Sequence, residues 1–577
     1  MKQINIVQRP QADTTLPVFQ QVHPVLARVY ASRGIYDLDS LGRNLSELLP
    51  DTGLSGLDDA VQRLVQALEQ QQKIIIVGDF DCDGATSTVV GMLALRMMGA
   101  SEVDYLVPNR FEYGYGLSPE IVVEALKQNP DLLITVDNGI SSIDGVSAAN
   151  IAGLDVIVTD HHLAGDQLPD ACAIVNPNQP DCRFAAKSTC GVGVIFYVMI
   201  ALRRVLQSAG WFEKKGIPQP NLASLLDLVA LGTVADVVPL EQNNRVLVYQ
   251  GLQRIKAGYC RPGLKALIEY SGRQQHKITA SDLGFAIAPR LNAAGRLEDM
   301  SIGIECLLTE SETTAKELAV TLNDLNQERK GIEQEMQQQA MELLNSLNLD
   351  AEQLPFGLTM FEPEWHQGVI GILASRIKDK VHRPVIAFAL GDEGELKGSA
   401  RSIPGFHVRD GFDAIAAKHP ELLRKFGGHA MAAGLTIRQT DLELFKQAFD
   451  EEVSRQLSET DLKQEMLTDG CLSASEMTLE LADLLRESGP WGHQFSEPIF
   501  EGEFTLLQQR VVGHRHLKMV LMEPESGLAI DAIQFNADMD HWPDESVTRV
   551  QALYRLDVNE FRGRKSVQML VQHLTAI

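Results

Sequence analysis

The sequence predicts an α/β protein: a parallel-sheet domain joined by a long helix to a smaller α/β domain, followed by a C-terminal β-barrel. Three observations carry this. From Ile74 onward, short apolar runs alternate with helical stretches, which is the period of βαβ units. The segment from Glu305 to about Asn348 has one Gly and no Pro, and Leu318, Leu322, Leu325, Ile332, Met336 and Leu343 recur at near-heptad spacing, predicting one long helix. Near the C-terminus, alternating runs such as Leu517 to Leu521 and Val567 to Val571 read as strands, with Glu560 to Lys565 as a hairpin tip.

With 577 residues, 45% of them hydrophobic and 22% charged, the chain has an ordinary globular composition and is too long for one core. The expected division is an N-terminal extension over 1–45 with no assigned function, a catalytic domain over 46–300, the connecting helix over 301–348, a second domain over 349–450 and the barrel over 451–577. No apolar run approaches the length of a membrane span, and Met1 to Pro10 lacks the apolar core of a signal peptide, so a cytoplasmic protein without a membrane role is expected. Seven scattered Cys with no Cys-x-x-Cys pair argue against a disulfide framework or a zinc site. A net charge of −26 argues against broad adhesion to nucleic acid or membranes, so any polyanion must be met in a locally basic groove.

The chain is organised around Lys73 to Thr86. Ile74 to Val77 form a β-branched run suited to a strand buried on both faces, and the small residues Ala85 to Thr88 open a helix. Between them stand Asp79, Asp81, Asp83 and Gly84, at the C-terminal end of the strand. Open α/β sheets bind ligands at that end, and clustered carboxylates there are costly unless cations neutralise them. An acidic solvated turn is the alternative. An EF-hand fits poorly, because Val90 occupies the position that needs a bidentate Glu and a strand precedes the loop. Further strands are expected at Val103 to Val107, Leu132 to Val136, Val156 to Val158 and Ala173 to Val175. Two of these end as the first does, one in Asp137-Asn138-Gly139 and one in Asp160-His161-His162. Adjacent His residues can be a surface accident, but three strand ends with like chemistry argue for a metal centre, and carboxylates with imidazole suit Mn²⁺ or Mg²⁺. Asp236, in the apolar stretch Leu231 to Leu240, can join that centre or simply cap a turn.

Asp160-His161-His162 is the tripeptide for which the DHH phosphoesterase superfamily is named. The chain resembles that superfamily also in Gly78 to Gly84, Val136 to Gly139 and Leu231 to Leu240, in the family's order. From about Leu45 to the C-terminus its layout is similar to the RecJ family of single-strand-specific exonucleases. The resemblance implies that Asp81, Asp83, Asp137, His161 and Asp236 are ligands of two divalent cations, Mn²⁺ or Mg²⁺, with one carboxylate bridging and with Asp79, Asp160 and His162 completing or orienting the site. Cys82 departs from the pattern, where a small residue is more usual, and a thiol there raises the question of oxidation sensitivity. Two cations about 4 Å apart can polarise a phosphodiester, activate water and stabilise the leaving oxygen without a covalent enzyme intermediate.

Substrate contacts are expected elsewhere. Arg110 follows a strand at the ligand edge and, by the resemblance, belongs to the pocket for a 5′-terminal phosphate; an ordinary surface Arg is the alternative. Arg290-Leu-Asn292-Ala-Ala-Gly295-Arg296 resembles a RecJ motif that contacts nucleic acid, or is a loop packed between lobes. In the second domain, Trp365 to Arg376, Lys397 to Ser402 and Phe426 to Gly434 combine Gly, Ser and Arg, which suits a phosphodiester backbone. These segments resemble the DHHA1 domain, implying that His366, Ser375, Arg376, Ser399, Arg401, Gly427, Gly428 and His429 face the substrate, with a structural role as the alternative for His429. The C-terminal region takes the place of the RecJ-family OB-fold, a single-strand-binding barrel. Its candidate contacts are Arg510, Arg515, Lys518, Phe561, Arg562 and Arg564.

The expectation is therefore a metal-dependent, single-stranded-DNA-specific 5′-to-3′ exonuclease releasing 5′-mononucleotides in DNA repair and recombination. It is expected to act as a monomer, with single-strand-binding protein and a helicase as candidate partners. A helix of roughly 35 residues, about 50 Å long, would separate two lobes around a groove for the strand. The competing readings are a DHH phosphodiesterase of very short RNA or cyclic dinucleotides, for which the third domain is superfluous, and a non-catalytic DNA-binding scaffold, against which the full ligand set argues. A haloacid-dehalogenase-like phosphatase gives Asp-His-His no role.

Overall fold

The computed structural model describes residues 4–10, 13–37, 39–108, 116–346, 354–539, 541–561 and 563–577. The chain forms two compact units, one of residues 8–324 with 468–577 and one of residues 1–7 with 325–467. The first strand, β1 (Asn5–Gln8), is short.

The larger unit is centred on a five-stranded parallel sheet of β2 (Ile74–Gly78), β3 (Val103–Leu106), β4 (Leu132–Val136), β5 (Asp155–Thr159) and β6 (Ala173–Val175), in the order β3-β2-β4-β5-β6. Every residue of β2 and β4 is buried, as expected where crossover helices cover both faces. The register is what places the site. Gly78 pairs with Val136 and Val136 with Thr159, so the central strands end level and the residues after them meet at one edge.

On one face Ile75, Val77, Leu133, Val156 and Val158 pack against Ile121, Ala125, Val146 and Ala149. On the other, helix Cys82–Met97 packs against helices Gly191–Ser208 and Leu226–Ala235. Helix Gly191–Ser208 corrects the expectation that no apolar run reaches membrane length: it is long and apolar enough by length and composition, but it is mostly buried in this core.

The long helix spans Glu312–Ser346, beginning in the larger unit and ending in the smaller. It starts later than the pattern from Glu305 suggested, because Ser301–Leu308 is a separate helix that stops at an extended Thr309. Ser311 then restarts the chain: its hydroxyl accepts from Thr314 N–H at 3.3 Å and its carbonyl from Ala315 N–H at 2.9 Å. Such side-chain capping favours a break over a continuous helix.

The smaller unit has a sheet of β7 (Leu358–Phe361), β8 (Val385–Leu390), β9 (Glu395–Arg401), β10 (Lys425–Gly428) and β11 (Ala432–Arg438), ordered β10-β11-β9-β8-β7, with only β7 and β8 parallel. Phe388, Phe406, Phe412, Phe445 and Phe449 fill the core under one face. The polar residues on the long helix's apolar seam are paired within this unit. Arg329 bonds Glu333 and Asn326, and Gln339 accepts from Trp365 Nε1 at 2.9 Å. β12 (Glu465–Thr468) pairs with β1.

The chain then returns to the larger unit and closes a barrel from β13 (Phe500–Val512), β14 (His516–Met522), β15 (Ala529–Gln534), β16 (Arg549–Phe561) and β17 (Arg564–Ala576), in the order β13-β14-β15-β17-β16. The β16–β17 hairpin is the one expected, with Phe561 opposite Arg564.

Residues of the N-terminal segment tie this barrel to the parallel-sheet domain. Helix Pro24–Ala31 is largely buried, and its Tyr30 stacks on Trp491 and Phe495 at centroid separations of 6.1 and 6.3 Å. Arg33 caps the stack over Trp491 and pairs with Asp469 at 2.6 Å. Arg245 closes its other end, 4.3 Å over Phe495, while donating to Leu240 O at 2.7 Å. Leu240 N–H in turn donates to His493 O at 2.9 Å. Arg245 is buried with its charge held by carbonyls and a ring, so its removal leaves acceptors unsatisfied. Arg245→Ala is expected to destabilise the larger unit by about 2–4 kcal/mol, read as a lower denaturation midpoint. An unchanged midpoint would show that the stack does not hold the barrel.

Candidate metal centre

The site is built on the level ends of β2, β4 and β5. After β2 the chain turns through Asp79 and Phe80, and Asp81 caps helix Cys82–Met97 by accepting from Asp83 and Gly84 N–H at 2.9 and 3.0 Å. Gly84 is obligatory, since a Cβ there would lie 2.5 Å from Asp79 O. Asp83, in the first turn, is 1% exposed. Its carboxylate accepts from Gly191 and Val192 N–H at 2.7 and 2.9 Å, the start of helix Gly191–Ser208, where the helix dipole favours negative charge. A Cβ at Gly191 would come within 2.6 Å of the Asp137 side chain, so glycine also admits that second carboxylate.

After β4, Asp137 takes a left-handed conformation with φ 60°, which turns the chain back under its own strand. Asn138 locks the turn by donating to Val77 O and Val136 O at 3.1 and 2.9 Å. After β5, the Asp160 carboxylate accepts from Ile140, His161 and His162 N–H and lies 2.7 Å from His162 Nδ1. The Asn176 and Asn178 amides hold the carbonyls of His162 and His161. Asp236 caps the C-terminus of helix Leu226–Ala235, as one of its two sequence readings had it, and also reaches the cluster. His161 Nε2 lies 3.1 Å from Asp137 Oδ1 and 3.4 Å from Asp236 Oδ2.

The donor atoms form three overlapping groups, each within 4.8 Å: Asp79, Asp81 and Asp137; Asp83, His161 and Asp236; and Asp137, His161 and His162. The electrostatics explain what such a cluster needs. Burial, together with the neighbouring Asp81 charge, pushes Asp83 up to about 7. Burial and mutual repulsion hold Asp137 and Asp236 well above the carboxylate range. Asp160 goes the other way: burial raises it, but His162 and the N–H donors outweigh burial and hold it below its usual value. Burial opposes charge on His162, yet the Asp160 carboxylate keeps that imidazole's pKa raised. Crowded carboxylates, three of them held above the carboxylate range, with imidazole beside them fit divalent cations such as Mn²⁺ or Mg²⁺.

Asn292 and Gly295 do not face outward as expected of the Arg290–Arg296 stretch. Asn292 Oδ1 accepts from Cys82 N–H at 2.7 Å, and a Cβ on Gly295 would lie 1.8 Å from Phe80 O, so helix Ala288–Leu297 clasps the carboxylate loop. Arg290 is likewise turned inward, donating to Ala286 O, Tyr270 O and Asn323 Oδ1. Cys82 is 1% exposed, and burial beside Asp81, Asp83 and Asp236 pushes its thiol up. A buried thiol kept protonated resists oxidation, which answers the question its sequence position raised. Arg110 and Arg562 lie outside the described residues.

In the smaller unit, Gly427, Gly434 and Ser399 lie side by side on β10, β11 and β9, with Arg401 two residues along from Ser399 on the same face. Around Gly427 a Cβ would meet nothing within 4 Å, so the sheet face there is bare backbone. Arg401 donates to Ser399 Oγ at 3.1 Å and lies against Gly371 of helix Ile370–Val381. At the start of that helix, His366 Nδ1 accepts from Gly368 N–H at 3.1 Å. Gly428, with φ 139°, and exposed His429 form the adjoining turn. Ser375 sits on the helix, and Arg376 pairs with Glu333 at 2.8 Å rather than with its neighbours on the bare face. Arg296, the residue after Gly295, is half-buried.

Sequence reading missed the two N–H donors of Gly191 and Val192, although the small residues at Gly191 and Gly193 mark a helix start open to close approach. It also missed Asn138, Asn176 and Asn178, whose role depends on contacts no local pattern shows.

Residues 73–233 match the DHH family, N-terminal domain, residues 354–455 the DHHA1 domain and residues 468–573 the RecJ OB domain. The single-stranded-DNA-specific exonuclease RecJ of Salmonella typhimurium is 54% identical over 574 residues, and that of Escherichia coli 53% over 577, each match covering 100% of both chains. The crystal structure of RecJ in complex with Mn²⁺ from Thermus thermophilus is similar with a TM-score of 0.78 at 29% identity, covering 99% of this chain and 79% of that one. The Mg²⁺ complex from the same source gives 0.72 at 27%, covering 99% and 78%.

Because folding raises the pKa values of Asp83, Asp137 and Asp236, these three carboxylates keep protons in the folded protein that the unfolded chain has released above about pH 4. The metal-free cluster therefore costs stability progressively as pH rises toward about 7. The gap in melting temperature between Mn²⁺-loaded and chelated protein is expected to widen from pH 5 to pH 8. A gap independent of pH would show that these groups do not meet a cation.

Proposed function

The chain belongs to the RecJ family of single-stranded-DNA-specific exonucleases, and from that membership we propose how it degrades a strand. It is a hydrolase that cleaves phosphodiester bonds of single-stranded DNA, and the cluster at the ends of β2, β4 and β5 is its reaction centre. Asp81, Asp83, Asp137, His161 and Asp236 would hold two divalent cations, Mn²⁺ or Mg²⁺, with Asp79 beside them. When bound, these ions supply charge neutralisation at the phosphate and activation of water for attack on phosphorus.

The chain's own residues do the rest. Asp160 fixes the orientation of the His162 ring at the edge of the cluster. Gly191 and Val192 N–H hold Asp83, and Asn292 holds the loop, so the ligands do not reorganise when the strand arrives. In the smaller unit, the bare backbone of Gly427, Gly428 and Gly434 lets a phosphodiester approach, and Ser399, Arg401, His366 and His429 donate to its oxygens. Arg401 suits this best, because it stands half-buried beside Ser399 on that face and its planar guanidinium can donate in pairs. For Arg376 the pair with Glu333 favours a supporting role.

The observation that carries the reading is the convergence of three overlapping metal-donor groups on one sheet edge. It disfavours the scaffold reading, which needs no such cluster, and the full-length similarity to RecJ disfavours the small-substrate phosphodiesterase. We further propose 5′-to-3′ polarity with release of 5′-mononucleotides, a cytoplasmic setting, action as a monomer, and cooperation with single-strand-binding protein and a helicase. The division into a catalytic domain to about residue 300, a DHHA1 domain to about 450 and a single-strand-binding barrel beyond fits these roles.

End-labelled single-stranded DNA, blunt duplex and a dinucleotide, each with Mn²⁺, Mg²⁺ or chelator, provide the test. Metal-dependent release of labelled mononucleotide from the 5′ end of the single strand alone is expected. Asp137→Asn should lower turnover about a thousandfold or more, the scale of losing one transition-state charge stabiliser, with strand affinity kept. Binding without cleavage, or preference for the dinucleotide, would overturn the reading. Arg401→Ala should weaken strand binding and lower the slope of log affinity against log salt by about 1, as for one lost phosphate contact. An unchanged slope would remove Arg401 from the strand path.

A further inference from the structure

The helical stretch that clasps the carboxylate loop also carries an exposed aromatic ring. From Ala280 to Leu297 the chain is helical throughout, with one π-helical turn, Leu283–Ile287. Leu283, Ala286, Ile287, Leu291, Ala293 and Ala294 are buried, whereas Phe285, Pro289, Asn292 and Arg296 are not. Their spacing of four, three and four residues places those four on one side of a helix. At one end of this less buried side stands Phe285, 86% exposed. Toward the other end, Asn292 bonds the metal loop at Cys82. Seven residues at 1.5 Å each put the ring about 10 Å along the axis from that contact.

The ring's other surroundings lead to the same place. Gly284 lies against Val234, two residues before Asp236, since a Cβ on it would be 3.2 Å from Val234 Cγ1. Directly after Asp236 comes Val237, a β-branched residue at φ 61° and 63% exposed. That conformation is strained for such a side chain, and strain of this kind persists where the surrounding structure requires it. Single-turn π-helices likewise concentrate at functional sites. A ring left in water on the helical stretch that clasps the carboxylate loop contributes little to the core, and the substrate of that cluster is an unpaired strand whose bases offer apolar π-faces.

We propose that Phe285 is a base-stacking platform for single-stranded DNA, holding a nucleobase one to three nucleotides from the phosphate at the metal loop, with Val237 bounding the same base from the Asp236 side. The inference rests on the single-strand exonuclease reading above and adds a subsite to it. Stacking on any base face fits an enzyme that must accept every sequence, because every base has a π-face.

The test uses oligo(dT) carrying 2-aminopurine at one of the first five positions from either end, bound to Asp81→Asn protein so that the strand stays intact. Quenching at one position is expected, lost in the Phe285→Ala double variant and kept with Phe285→Trp. Phe285→Leu, which keeps apolar area without a ring face, should lose it too. In otherwise unaltered enzyme, Phe285→Ala should raise KM for single-stranded DNA about tenfold, within the range of one base–aromatic stack, with kcat and melting temperature unchanged. If the unaltered enzyme degrades single strands but neither quenching nor KM depends on Phe285, the platform is refuted and the exonuclease reading stands. Equal KM for Leu and Phe would replace stacking by simple apolar contact. If the unaltered enzyme leaves single strands intact, both fall.

Discussion

The crowding of carboxylates into a largely buried cluster is the constraint on which this structure depends. Asp83, Asp137 and Asp236 are gathered where burial and the neighbouring carboxylates, Asp79 and Asp81 among them, raise the free energy of their charged forms. Left to itself such a loop would open toward water. It is kept closed by a parallel register that ends three strands level, by the amides of Gly191 and Val192, by the Asn138 lock under the Asp137 turn, and by Asn292 on the first helical turn. These contacts hold ready an arrangement that becomes favourable once positive charge enters it. Stability and chemistry pull in opposite directions here, as they do at many preorganised sites.

The second constraint is attachment. Asp236 follows a helix end, and four residues later Leu240 is tied to His493 and to Arg245, whose guanidinium lies on the aromatic stack of Phe495, Trp491 and Tyr30. The N-terminal helix and the linker to the barrel thus meet at the loop that follows a candidate ligand. A region without any motif of its own becomes part of the scaffold of the candidate metal centre through packing alone.

Much of this was legible in the sequence. The β-branched runs marked the strands because a sheet covered on both faces leaves no other signature, and the carboxylates at their ends marked the edge because open α/β sheets bind there. The barrel hairpin and the long helix also appeared, although the helix begins at Glu312 because Thr309 and Ser311 interrupt a pattern that hydrophobic spacing alone carried through. Arg290 and Asn292 were harder. Charged and amide side chains between small residues look the same whether they reach for a phosphate or cap a neighbouring helix, and only the fold decides. The stack around Tyr30 was invisible for a related reason: its members stand far apart in the chain, and none belongs to a local period.

The cap on the carboxylate loop has a consequence in time. Cys82 N–H is satisfied by Asn292, 210 residues further on, and Asp236 and Gly295 also lie far downstream of Asp79. A ribosome delivers these parts in order, and domains fold as their segments emerge. A nascent chain long enough to expose the acidic loop still lacks its last candidate ligand, its cap and the helix that clasps it. The site therefore closes late in synthesis, and a translation product cut short before Asn292 carries the acidic motif without its cap.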